Sequence, residues 1–191
     1  EELDFLTTCI NNGVSIAIAG ATGSGKTADM GYILSSVAPE KRIVTIEDTR
    51  ELSLAKYDEN GVMLNDVVHL LTKEAPNEIT LLDLLKLSLR LHPTLLVPAE
   101  MRGKEAMVVQ EAGRTGHTVI SSLHANSART AYDRILTMCL EAGTSLSEGR
   151  LMKNIVEAFP VMLFKMQLPD HSRKYMEIFE ATGVQNGEVT G

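Results

Sequence analysis

A chain of 191 residues, 44% hydrophobic and 23% charged, has the balance of one globular domain, which excludes a disordered segment. Its net charge of −7 argues against a surface built mainly to hold nucleic-acid phosphates. Two cysteines, Cys9 and Cys139, lie in apolar settings without C-x-x-C spacing, so buried thiols are expected rather than a zinc site or a disulfide.

The chain opens at Glu1 without an initiator Met, and a domain cut from a longer parent is expected. Residues 4–12 read as a short helix, with Leu6 and Ile10 one turn apart and Asn12-Gly13 as the stop. The uncharged stretch 5–25 is not a membrane span, since it holds Asn11, Asn12 and several glycines. Within it Ser15-Ile16-Ala17-Ile18-Ala19 reads as a buried strand. Gly20-Ala21-Thr22-Gly23-Ser24-Gly25-Lys26-Thr27 then fits G-x-x-x-x-G-K-[ST], and residues 28–37 can continue as a helix. This layout wraps backbone N–H groups around a β-phosphate at a helix N-terminus, where peptide dipoles favour an anion. Lys26 is expected on the β- and γ-phosphates and the Thr27 hydroxyl on Mg²⁺. The sequence therefore implies a bound nucleoside triphosphate.

Residues 42–46 form a second β-branched run ending in Glu47-Asp48, and 67–71 reads as an edge strand after the Asn60-Gly61 turn. Thr80 is placed to cap a helix reaching about residue 91, although 87–92 also alternates as a strand would. Residues 95–97 make a third core strand that delivers Glu100. Residues 104–112 are read as helix and 117–122 as a fourth strand leading to His124. Helices over 128–142 and about 150–158 precede two strands, 162–167 and 174–180, able to pair. Strands alternating with helices predict an α/β fold, a mostly parallel sheet covered on both faces. In such sheets ligands sit at the carboxyl ends of the strands, so the phosphate loop, Glu47-Asp48, Glu100 and His124 should gather around one nucleotide.

Each cluster has a chemical and a structural reading. Glu47 and Asp48 can hold Mg²⁺ or orient an attacking water; the alternative is a solvated acidic turn partnered by Arg50. Glu100 is placed to polarise the water that attacks a γ-phosphate; the alternative is a carboxylate paired with Arg102. His117 and His124 can sense a γ-phosphate, or serve as ordinary structural histidines.

Taken together, Gly20–Thr27, Thr45-Ile46-Glu47-Asp48-Thr49-Arg50-Glu51-Leu52, Pro98-Ala99-Glu100-Met101-Arg102-Gly103 and Thr115-Gly116-His117…His124-Ala125-Asn126-Ser127 resemble the secretion ATPase superfamily. These four clusters look like that family's Walker A, Asp box, Walker B and His box, in the family's order over about 110 residues. The Asp box and Ala99-Glu100 look most like type IV secretion motors, whereas the tail from Ser172-Arg173-Lys174 to Thr182-Gly183 is more similar to the Tad pilus branch. Thr94, Ala99 and Ala28 depart from the family's common residues without touching those assigned to chemistry. The resemblance implies a single RecA-like C-terminal ATPase domain over residues 1–191, ATP and Mg²⁺ as ligands, and a hexameric ring in the parent. It also implies an inner-membrane secretion or pilus platform as partner and a peripheral place at the cytoplasmic face of that membrane, while the acidic charge balance leads to an expectation of no direct nucleic-acid binding. Two rivals share the core: a RecA-like helicase, and a nucleotide-switched assembly scaffold with negligible turnover.

Overall fold

The computed structural model describes residues 2–191. Its centre is a seven-stranded sheet in the order β3-β2-β4-β5-β1-β6-β7. The strands are β1 (Ile16–Gly20), β2 (Ile43–Glu47), β3 (Val67–Leu71), β4 (Leu95–Pro98), β5 (Thr118–Leu123), β6 (Val161–Gln167) and β7 (Arg173–Glu180). All neighbours are parallel except β6 and β7, which form an antiparallel pair. The mostly parallel α/β sheet is therefore as expected.

Alternation along the strands builds a core on each face. Ile16 and Ile18, Leu95 and Val97, and Ile120 pack with α1 (Glu2–Asn11) and α2 (Lys26–Ser35). Ala17 and Ala19, Leu96, and Val119 pack on the opposite face, against α3 (Leu81–Ser88), α4 (Glu105–Arg114), α5 (Ala128–Glu141) and α6 (Glu148–Ala158). Because both faces are covered, β1, β2 and β4 are buried at every position, and β1 and β4 read as continuous apolar runs.

Local chemistry sets the helix ends. Thr80 and Asp83 form a reciprocal capping box at α3, while Ser127 and Ser147 cap α5 and α6. The strand alternative for 87–92 is not realised. A 3₁₀ turn over Leu89–Leu91 follows α3, and His92 at φ 52° ends it before Pro93. Sequence reading passed over a C-terminal hairpin, β8 (Gly183–Gln185) with β9 (Glu188–Thr190). Its turn is Asn186-Gly187, both at positive φ, a hairpin signal present in the sequence. Cys9 and Cys139 are both free, and burial pushes the Cys139 thiol up to about 12. Among the described residues no helix is long and apolar enough to cross a membrane.

Candidate nucleotide site

The carboxyl ends of β1, β2, β4 and β5 open on a cleft of about 760 Å³. Its floor is the loop between β1 and α2. Gly20 ends β1 against β6, where a Cβ would stand 2.3 Å from the Lys165 carbonyl oxygen, so no side chain fits. Gly25 holds φ 87° at the start of α2, a left-handed conformation suited to glycine. The helix begins at Lys26, two residues earlier than the sequence suggested.

Lys26 is buried, and its Nζ donates to the carbonyls of Gly20 (2.9 Å) and Ala21 (3.1 Å). Burial lowers its pKa, and the charge of Glu100 across the cleft opposes that shift. Its hydrogen-bond partners are neutral carbonyls, which an anion can displace. The Ser24 hydroxyl in the same loop is buried without a hydrogen-bond partner. A desolvated ammonium, an orphaned hydroxyl and a helix N-terminus together fit a phosphate.

The opposite wall carries the carboxylates. Glu100 follows β4 on a turn that Glu105 fixes by accepting the N–H groups of Arg102 (2.6 Å) and Gly103 (2.8 Å). Arg102 grips Glu100 Oε2 through Nε (2.9 Å) and Nη2 (2.5 Å), and its Nη1 reaches Asp48 Oδ2 at 2.8 Å. These two carboxylates in turn raise the Arg102 pKa, the Glu100 hydrogen bonds foremost. Thr72 donates to the other oxygen of Asp48 at 2.9 Å. His124, just past β5, places Nε2 2.9 Å from Glu100 Oε1, yet off the axis of a hydrogen bond, so Oε1 has no aligned donor. Thr27 and Asp48 both line the cleft, where hydroxyl and carboxylate oxygens suit a hard cation such as Mg²⁺. Thus Gly20–Thr27, Asp48, Glu100 and His124 converge as their strands require.

Of the two remaining expected site residues, one lines the cleft with its oxygens turned to other partners and one lies outside it. Glu47 reaches the cleft wall, but its Oε1 accepts the N–H groups of Glu51 and Leu52, each at 3.0 Å. Its Oε2 sits beside the Thr45 hydroxyl (3.4 Å) and His69 Nδ1 (3.9 Å). With the side chain buried and its oxygens occupied, the geometry is that of a loop anchor rather than of a metal or water ligand. His117 lies at the amino end of β5, with Nδ1 3.2 Å from the Pro93 carbonyl. Six strand residues, about 20 Å, separate it from the carboxyl end, so within this chain it cannot report a γ-phosphate.

Sequence reasoning also missed Arg173, which lines the cleft from β7 and donates Nε–H to the Gly23 carbonyl at 2.9 Å. A usable signal was the pair of opposite charges in apolar surroundings, Lys165 inside β6 and Asp29 in the first turn of α2. The two meet in a buried ion pair behind the loop.

A phosphate loop after β1 of a mostly parallel sheet, faced by an acid after β4 with β5 lying between the two strands, defines the RecA-like class of P-loop ATPases. The sequence profile described as "Type II/IV secretion system protein" matches residues 2–167, and the chain belongs to that family. Among curated relatives, the type IV secretion system protein PtlH of Bordetella pertussis is 39% identical over 143 residues, 72% of this chain and 40% of the relative. Among solved structures, the VirB11 ATPase of the Brucella suis type IV secretion system, in complex with sulphate, superposes with a TM-score of 0.80 at 28% identity. That match covers 94% of this chain and 52% of the other. The Legionella pneumophila ATPase DotB shares the fold at a TM-score of 0.71, with 22% identity over 91% of this chain and 47% of its own. The chain thus spans about half the length of these proteins or less.

Proposed function

We propose that this chain is the ATP-hydrolysing motor domain of a machine for type IV secretion, pilus assembly or retraction, or conjugative transfer. One observation carries the reading: four separate loops bring Lys26, Asp48, Glu100 and His124 to a single cleft at the carboxyl ends of the sheet. The chain's membership of a secretion family supports the biological setting.

The residues divide the chemistry among them. The loop amides and Lys26 hold the β- and γ-phosphates, replacing the Gly20 and Ala21 carbonyls as partners of Nζ. Thr27 and Asp48 would hold Mg²⁺, which when bound neutralises charge on the phosphate oxygens. Glu100 orients the attacking water and accepts its proton, which requires Arg102 to loosen its grip on Oε2. His124 stands beside Glu100, in a position to answer to the γ-phosphate. Glu47 holds the 47–52 loop in shape. The parent protein forms a hexameric ring at the cytoplasmic face of the inner membrane, against a secretion or pilus platform, and this chain is its C-terminal motor domain.

Steady-state ATP hydrolysis, with and without single-stranded DNA, tests this reading. The expected outcome is hydrolysis indifferent to DNA. Stimulation by DNA would favour a helicase, and tight binding without turnover in the full-length ring would favour a nucleotide-switched scaffold.

A further inference from the structure

The β6–β7 hairpin lies outside the four motif clusters, yet it grips the phosphate loop at several points. Lys165 pairs with Gly20 in the β1–β6 register, and its carbonyl oxygen occupies the space a Cβ would need. Its buried ammonium is held by Asp29 of α2, whose carboxylate also accepts the Tyr175 hydroxyl of β7. That ammonium stands 5.1 Å from the centre of the Tyr175 ring. Strand β7 is thereby tied to the helix that begins at Lys26.

Arg173 lies two residues before Tyr175, on the same face of β7. Its Nε donates to the Gly23 carbonyl, and its Cδ covers Gly25, where a Cβ would be only 2.9 Å away. Both Nη groups have no hydrogen-bond or ion-pair partner among the described residues, and the side chain lines the cleft. Arg102 across the cleft differs, with Nε and both Nη groups engaged by Glu100 and Asp48. Sheet order sets the two arginines on opposite flanks of the phosphate loop. Asp48, Glu100 and His124 come from β2, β4 and β5 on one side of β1, where metal and γ-phosphate belong; β6 and β7 lie on the other.

Resting on the nucleotide reading of the cleft, we propose that Arg173 binds the phosphates common to ATP and ADP. Its Nε keeps the clasp on Gly23 while its two Nη groups take phosphate oxygens. A planar guanidinium presents parallel donors matched to a phosphate, and the glycines at 23 and 25 leave no side chain between the fork and the loop.

Calorimetric titration of the 191-residue chain with MgATP and with MgADP tests the proposal, using Arg173→Gln, Arg173→Lys and Lys26→Ala. Glutamine retains a donor for the Gly23 carbonyl but removes the charge. Arg173→Gln should lose about tenfold or more in affinity for both nucleotides alike, with the melting temperature of the free chain unchanged. Arg173→Lys should lose less. Wild-type affinity in Arg173→Gln, alongside a weakened Lys26→Ala, would reduce Arg173 to a backbone clasp and overturn the proposal. A loss confined to ATP would also overturn it, by moving the contact to the γ-phosphate. Wild-type affinity in Lys26→Ala would instead bring down the nucleotide reading, and this proposal with it.

Discussion

Arg102 and Lys165 both neutralise carboxylates beside the same cleft, but the side chain of Arg102 is 62% exposed and that of Lys165 only 8%. On the Arg102 flank the partners, Asp48 and Glu100, are themselves open to solvent in part. Exposed pairs of this kind are worth about 0–1 kcal/mol, so they can exchange partners when a ligand arrives. On the Lys165 flank a buried ion pair and a half-buried tyrosine hydroxyl lock strand to helix. Burial also pushes the Tyr175 hydroxyl up, with Asp29 adding to the shift, which keeps that hydroxyl a donor. The cleft therefore joins a flank that can rearrange to a flank that holds its shape. The proposed hydrolysis would use both, since phosphate must be held still while the acid is released to water.

Removing one charge from the rigid flank should have the largest effect. Lys165→Met leaves Asp29 buried without its cation, and stability at neutral pH should fall by about 3–5 kcal/mol. Adding Asp29→Asn should recover part of that loss in denaturant unfolding. A Lys165→Met protein as stable as wild type would erase the contrast between the flanks. Glu47→Ala sharpens it at the carboxyl end of β2. It orphans the N–H groups of Glu51 and Leu52, so a loss of about 1–3 kcal/mol is expected that added Mg²⁺ does not restore. Rescue by Mg²⁺ would return Glu47 to the metal site. The smallest effect concerns His69 on β3, whose pKa burial lowers, the charge of Arg50 adding to this and Glu47 opposing it. The folded state disfavours the protonated ring, so its contribution is full above the unfolded pKa of about 6.5 and is lost as pH falls through the folded value. The decline in melting temperature on acidification should flatten in His69→Gln; an unchanged decline would assign it to other groups.

The two flanks were unequally legible in sequence, for a physical reason. Asp48, Glu100 and His124 each follow a buried strand directly, so strand periodicity and the switch-point rule place them together without any contact being known. The rigid flank depends on pairings far apart in sequence. Lys165 meets Asp29 across 136 residues and Arg173 meets Gly23 across 150, and no local pattern encodes either contact. Glu47 and Asp48 were adjacent carboxylates of equal promise in sequence. Strand alternation turns them to opposite sides, one onto loop amides and one toward Arg102. His117 failed for a related reason, being bracketed with His124 in sequence but set at the opposite end of β5. The Asn186-Gly187 hairpin was readable and was passed over.

The central claim is that Glu100, released from Arg102, is the group that activates water. The most direct test measures ATP affinity and turnover of Glu100→Gln and Glu47→Gln across a Mg²⁺ titration in the full-length protein. Glutamine at 100 keeps shape while losing the charge that polarises water. The account predicts near wild-type ATP binding by Glu100→Gln, with turnover reduced by about 10²–10⁴ at every Mg²⁺ concentration. Glu100→Gln hydrolysing ATP at the wild-type rate, with Glu47→Gln inactive at saturating Mg²⁺, would contradict it.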